Sequence, residues 1–302
     1  MDNVETKPLA KTKALANLLA TIKPTDLIAV CQSLGWQMGN DKKLPKEKHY
    51  KVAIIETLIK TAKAMDWHVI HNGGLFYIYN GTHFIPLEKA EMMQLLMEAA
   101  IRMGYKAIES RDNNFVKSLI SQAENDGFFA ERNSIKQSII NLNNGSLVLN
   151  DTGITLKPFD YRDFLTHKLD FDYDPTAVNT LFLKYLSEVL PDSDTRMTLQ
   201  QIAGYLFIKG LKMEKIFFLF GLGANGKSVF FEVLSGVIGW ENISNYSLES
   251  LTDSKGYHRA MIKDKIVNYG TDICLTRIDA SMFKTLASGE PIFNFSGSSK
   301  YI

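Results

Sequence analysis

The stretch Lys215–Gly239, KIFFLFGLGANGKSVFFEVLSGVIG, decides how the rest of the chain is read. Ile216 to Phe220 is a continuous apolar run of strand length, the pattern of a strand covered on both faces of a parallel sheet. Gly221-Leu222-Gly223-Ala224-Asn225-Gly226-Lys227-Ser228 then satisfies the spacing G-x-x-x-x-G-K-S/T. Val229, Phe230, Val233, Leu234, Val237 and Ile238 follow on one helical face, and Gly239 supplies a stop. Composition alone would produce the loop pattern in about one chain of this length in a hundred. The rival reading, a structural glycine turn with a solvated lysine, does not account for a strand before the loop and a helix after it.

The chemistry needs this order of elements. Residues without Cβ let the backbone close around a phosphate, successive N–H groups converge on it, and the positive end of the following helix dipole adds to the field. Gly221, Gly223, Ala224, Asn225, Gly226, Lys227, Ser228 and Val229 are therefore the candidate nucleotide-binding residues. Lys227 is placed to reach the β- and γ-phosphates, and the Ser228 hydroxyl to ligate Mg²⁺, so ATP and Mg²⁺ are the expected cofactors. Such a site also needs a carboxylate at the end of a neighbouring strand. In KDKIVNYGTDI, Ile266, Val267 and Tyr269 make a short strand-like run, and Asp272 stands just beyond it as the candidate catalytic and metal-shell acid. Asp264 and Asp279 are rivals in more polar surroundings.

Outward from this segment the chain reads differently. Residues 1–66 have helical periodicity, with Leu15, Leu18, Leu19 and Ile22 before Pro24, a start at Thr25-Asp26, and Val52, Ile55, Ile59 and Ala62 on one face. From Trp67 the period shortens, and Asn72-Gly73 and Asn80-Gly81 divide three β-rich runs into an antiparallel meander. Met92, Leu95, Leu96 and Ala99 begin a helix, and Asp112 can cap another that runs to Asn125 with Gly127 as its stop. NNGSLVLNDTGITLKPF predicts a hairpin turned at Asn150–Gly153, and helices are expected over 176–190 and 194–209. The 302 residues suffice for two domains, and 34 basic against 33 acidic residues give no global pull toward nucleic acid. Two distant cysteines, Cys31 and Cys274, argue against a disulfide framework or structural zinc. The apolar runs fall short of the ~20 residues of a membrane span, and the expectation is a soluble, cytoplasmic protein.

GLGANGKSVFFEVLSGVIG, with LQQIAGYLFIKGLKMEKIFFLF before it and DKIVNYGTDI and FKTLASGEP after it, resembles the carboxy-terminal helicase region of phage, plasmid and poxvirus primase-helicases of helicase superfamily three. NNGSLVLNDTGITLKPF and DFDYDPTA extend the resemblance upstream, so that it runs from about Asn141 to Pro291. The resemblance implies an α/β chain: a P-loop, AAA+-like parallel sheet over 211–302, incomplete, preceded by a helical region (1–66) and an α+β accessory domain (67–210). It implies a ring, usually a homo-hexamer, that couples ATP hydrolysis to movement on single-stranded or forked DNA beside other replication proteins in a bacterial host cell. It makes Asp272 the second-motif acid and Lys284 the start of a DNA-approaching element. Two departures stand out: the family usually has Glu where Asp272 stands, and IFNFSGSSKYI takes the place of the arginine-bearing, sensor and arginine-finger segments. The region therefore looks truncated, and by itself the chain is expected to bind Mg-ATP weakly and to unwind nothing.

Other signals have plainer readings beside them. Asp170, Asp172 and Asp174 alternate as a primase metal site would, yet the Asp-Pro step marks a connecting segment. Lys255, His258, Arg259, Lys263 and Lys265 surround Tyr257 as a DNA-contacting patch or a solvated basic face. His68, His71 and His83 lack the cysteine or carboxylate company of metal ligands, and Trp67, Phe76, Tyr77 and Tyr79 suit a strand core as well as base stacking. Two further functions remain open: another P-loop phosphotransferase, or a non-catalytic DNA-binding or ring-assembly fragment.

Overall fold

The computed structural model describes residues 6–39, 43–65, 68–72, 74–125, 138–151, 153–208, 211, 213–262, 265–271 and 278–290, with residues 6–10 and 260 described by their backbone only. Its elements are α1 (Thr6–Thr21), α2 (Leu27–Ser33), α3 (Glu47–Ala64), β1 (Val69–Asn72), β2 (Leu75–Tyr79), β3 (Phe84–Leu87), α4 (Lys89–Arg102), α5 (Ala107–Ser110), α6 (Asn113–Asn125), β4 (Ser138–Leu142), β5 (Gly145–Asn150), β6 (Gly153–Lys157), α7 (Thr180–Val189), α8 (Ser193–Tyr205), α9 (Lys227–Ile238), β7 (Ile243–Ser244), α10 (Leu248–Thr252), α11 (Tyr257–Met261), β8 (Val267–Asn268) and α12 (Ala280–Ser288). They divide into two compact units, residues 1–133 with 160–166 and residues 134–159 with 167–302.

In the first unit the meander forms as the Asn-Gly pairs predict, antiparallel in the order β1-β2-β3. At the second turn the Asn80 side-chain oxygen accepts from the Thr82 and His83 amides at 3.0 and 2.9 Å, and Gly81 takes φ +99°, which its missing Cβ permits. One face of the sheet, through Val69, Phe76, Ile78, Ile85 and Leu87, packs with residues of α1, α2, α3, α4 and α6 in a single core. The other face, through Ile70, Tyr77 and Phe84, is covered by Tyr161 and Phe164. Helix starts follow their cap chemistry: Asp26 accepts from the Ile28 and Ala29 amides, and Asp112 from the Phe115 amide at 2.8 Å. The buried face of α3 keeps Ile55 and Ala62 of the predicted set and shifts toward Ile54 and Leu58. Ile54, Ile55 and Leu58 are fully buried, whereas Val52 is 37% exposed, because the packing of α2 and α6 on this helix centres on the Ile54–Leu58 side.

The second unit holds the predicted hairpin as the β5–β6 pair of a three-stranded antiparallel sheet, β4-β5-β6, with Asn150 opposite Gly153. Gly145 opens β5 at φ +144°, where a Cβ would come within 2.6 Å of the Lys157 carbonyl oxygen. Leu142, Leu147 and Leu169 form a small core beneath this sheet. Helices α7 and α8 begin later and earlier than the spacing predicts, fixed by Asn179, which accepts from the Phe182 amide, and by Asp192, which accepts from the Thr195 amide.

The parallel sheet is where expectation and structure part. Among the described residues the only parallel pairing is β7 with β8, two residues each. Ile216 to Phe220 joins no sheet; Ile216 is half-buried and Phe217 to Phe220 are exposed, Phe220 at 95%. An apolar run encodes a preference for the extended chain, but a buried parallel strand also needs a hydrogen-bonding neighbour on each side, and the described residues place none beside this run.

Candidate functional site

The glycine loop is built from a helix start and the backbone before it. Helix α9 begins at Lys227, and its leading residue Gly226 takes the left-handed conformation, φ +85°. Ala224 is also left-handed at φ +56°, an arrangement that costs a residue with a Cβ about 1 kcal/mol or more. Left-handed residues alternating with ordinary ones, here on either side of Asn225, are the backbone pattern that gathers N–H groups into an anion-binding hollow. Among the described residues no N–H from Leu222 to Val229 donates to a protein acceptor; the first that does is Phe230, to the Gly226 carbonyl at 3.1 Å. No side chain caps this helix start.

The Lys227 ammonium folds back over the same loop, donating to the Gly221 carbonyl at 3.1 Å and to the Asn225 side-chain oxygen at 2.6 Å. A Cβ at Gly221 would overlap the Asn225 amide, so the first glycine makes room for the side chain that holds the lysine. Ser228 and Val229 are exposed on the first turn of α9. On the other side of the loop α7 approaches closely: the Tyr185 hydroxyl donates to the Gly226 carbonyl at 2.7 Å, and a Cβ at Gly226 would lie 2.7 Å from Val189 and 3.1 Å from the Tyr185 ring. Burial pushes the Tyr185 phenol above its ordinary value, with the Phe230 amide opposing weakly, so the hydroxyl keeps its proton throughout the neutral range. A cavity of about 220 Å³ between α7, α8 and α9 has an apolar lining that includes Phe182, Leu186, Phe207 and Phe230.

The β7–β8 pair also leans on α9. The Tyr269 ring lies 4.2 Å from that of Phe231, the Tyr269 amide donates to the Ser244 carbonyl, and the Asn268 side chain bridges Ser244 and Tyr246. The chain leaving β8 thus passes the helix that the glycine loop starts. Asp272 and its rival Asp264 lie outside the described residues, as do Trp67, Lys263 and Cys274. Asp279 caps α12 by accepting from the Met282 amide at 2.7 Å, a structural role, and Lys284 is exposed on that helix.

Two members of the basic patch are tied into the fold, while Lys255 and Tyr257 are exposed. Arg259 is 3% exposed and donates to the carbonyls of Leu251 and Asp253, and Lys265 donates to the Glu241 carbonyl. The Asp253 carboxyl is held below its usual range, first by the Gly256 amide and then by Arg259 and His258, so these charges close the turn between α10 and α11. Asp174 caps its own turn through Thr176, and Asp170 pairs with Lys168. His68 stacks on Tyr161, His71 lies against Phe76, and His83 is buried beside Thr82; Phe76 and Tyr77 are core residues. Sequence reasoning missed Tyr185 and Val189, which reach Gly226 from about forty residues away, a separation no local pattern carries; the one trace they leave is that position 226 can hold only glycine.

The chain thus carries an α+β region and, after it, a glycine loop at a helix start with a lysine folded across it. Residues 16–191 match the family model described as D5 N terminal like, and the chain belongs to that family, the N-terminal domain of phage and viral primase-helicases. Curated proteins gave no match. Family membership associates the chain with DNA replication, and among the described residues no helix is long and apolar enough to cross a membrane.

Proposed function

We propose that Gly221–Ser228 binds the phosphates of Mg-ATP and that the chain supplies the ATP-dependent helicase part of a phage or plasmid primase-helicase. The observation that carries this reading is the run of amides from Leu222 to Val229 without protein acceptors, with the Lys227 ammonium turned over them. In this reading the amides of Gly223 to Val229 receive the phosphate oxygens, Lys227 leaves Gly221 and Asn225 for the β- and γ-phosphates, and the exposed Ser228 hydroxyl joins the Mg²⁺ shell. Mg²⁺ would neutralise the charge that builds on the phosphates, with Asp272 as its outer acid and Lys284 as a contact to single-stranded DNA. Full-length rings and turnover belong to the same proposal.

The exposure of Phe217 to Phe220 and Leu222 favours a second reading, a fragment that associates through this apolar edge without hydrolysing nucleotide. Calorimetry and thermal melting with Mg-ATP separate the two. The nucleotide site predicts ligand-induced stabilisation that Lys227→Ala removes; a wild-type melting temperature indifferent to Mg-ATP sinks it.

A further inference from the structure

Tyr185 belongs to the family-matched segment, yet its hydroxyl ends on the loop that follows it. The Gly226 carbonyl and the Lys227 N–H are two sides of one planar trans peptide and point in opposite directions. A donor that fixes the carbonyl toward α7 therefore aims the Lys227 N–H away from α7, into the hollow of the loop. The same carbonyl takes the first helical bond of α9, from Phe230 at 3.1 Å, so its orientation is tied both to the helix and to α7. The ring of Tyr185 and the methyl of Val189 occupy the space a Cβ at Gly226 would need, which leaves the peptide no room to turn over.

We infer that Tyr185 is a positioning residue of the glycine loop, holding the Gly226–Lys227 peptide in the orientation that presents the Lys227 amide to a bound polyphosphate. This rests on the reading of Gly221–Ser228 as a triphosphate site. Tyr185→Phe keeps the ring and its packing and removes only the donor. The ligand-free melting temperature then stays within a few degrees of wild type, while affinity for Mg-ATP and for magnesium tripolyphosphate falls about five- to tenfold, the worth of one such hydrogen bond. The backbone amide resonance of Lys227 should shift in the ligand-free variant, which a purely packing role for the ring would not cause.

Wild type that binds both ligands, with Tyr185→Phe binding them within twofold as tightly, overturns the inference and leaves the site standing. Weakened binding accounted for by a lower ligand-free melting temperature, with the Lys227 resonance unmoved, overturns it as well. Wild type that binds neither ligand defeats the site, and the inference falls with it.

Discussion

Phe84, which opens one apolar run, and Phe220, which closes another, carry the same side chain, and their fates are opposite. Phe84 is fully buried in β3, against Tyr79 and Phe164; Phe220 is 95% exposed. What separates them is the source of their neighbours. The meander obtains its partners from turns of a few residues, and α1 to α3 before it and α4 and α6 after it pack on it from nearby in the chain, so each contact requires little loop entropy. A parallel strand obtains none locally, since its neighbours come by crossover through a helix. Apolar pattern alone therefore makes a strand only where the chain also brings pairing close.

The comparison is broken or sharpened by substitution. Phe84→Ala should cost about 3–5 kcal/mol in urea unfolding, and Phe220→Ala no more than about 0.5 kcal/mol; equal losses would mean that Phe220 is covered in solution. Where the second unit does pair its strands it should be as exacting as the first. Gly145→Ala sets a Cβ on the Lys157 carbonyl at a left-handed φ and should lose about 1–3 kcal/mol, read as a lower melting temperature. The two aspartate caps give the finest contrast. Asp112→Ala, at the head of a helix that buries Phe115, Leu119 and Ile120, should cost about 1 kcal/mol globally. Asp279→Ala, heading α12, which buries no residue, should show as faster amide exchange in its first turn with little global change.

Legibility in the sequence followed the same division. The Asn80-Gly81 turn and the aspartate caps each depend on residues within a few positions of one another, and they formed where the pattern placed them. The shifted face of α3, the burial of Arg259 under two carbonyls and the contact of Tyr185 with Gly226 depend on which elements meet. No window of the sequence contains that information. For the glycine loop, the spacing singles out residues 221–228, and only the fold revealed that Tyr185 and Val189 of α7 press on Gly226.

The ammonium of Lys227 already has two oxygen partners, a carbonyl and an amide. Any anion arriving there works against a latch: it must offer better lone pairs than both together. On the proposed reading, halides and singly charged carboxylates would make poor keys, and a dense cluster of phosphoryl oxygens would release it, so the resting loop would screen its visitors before any shape is read.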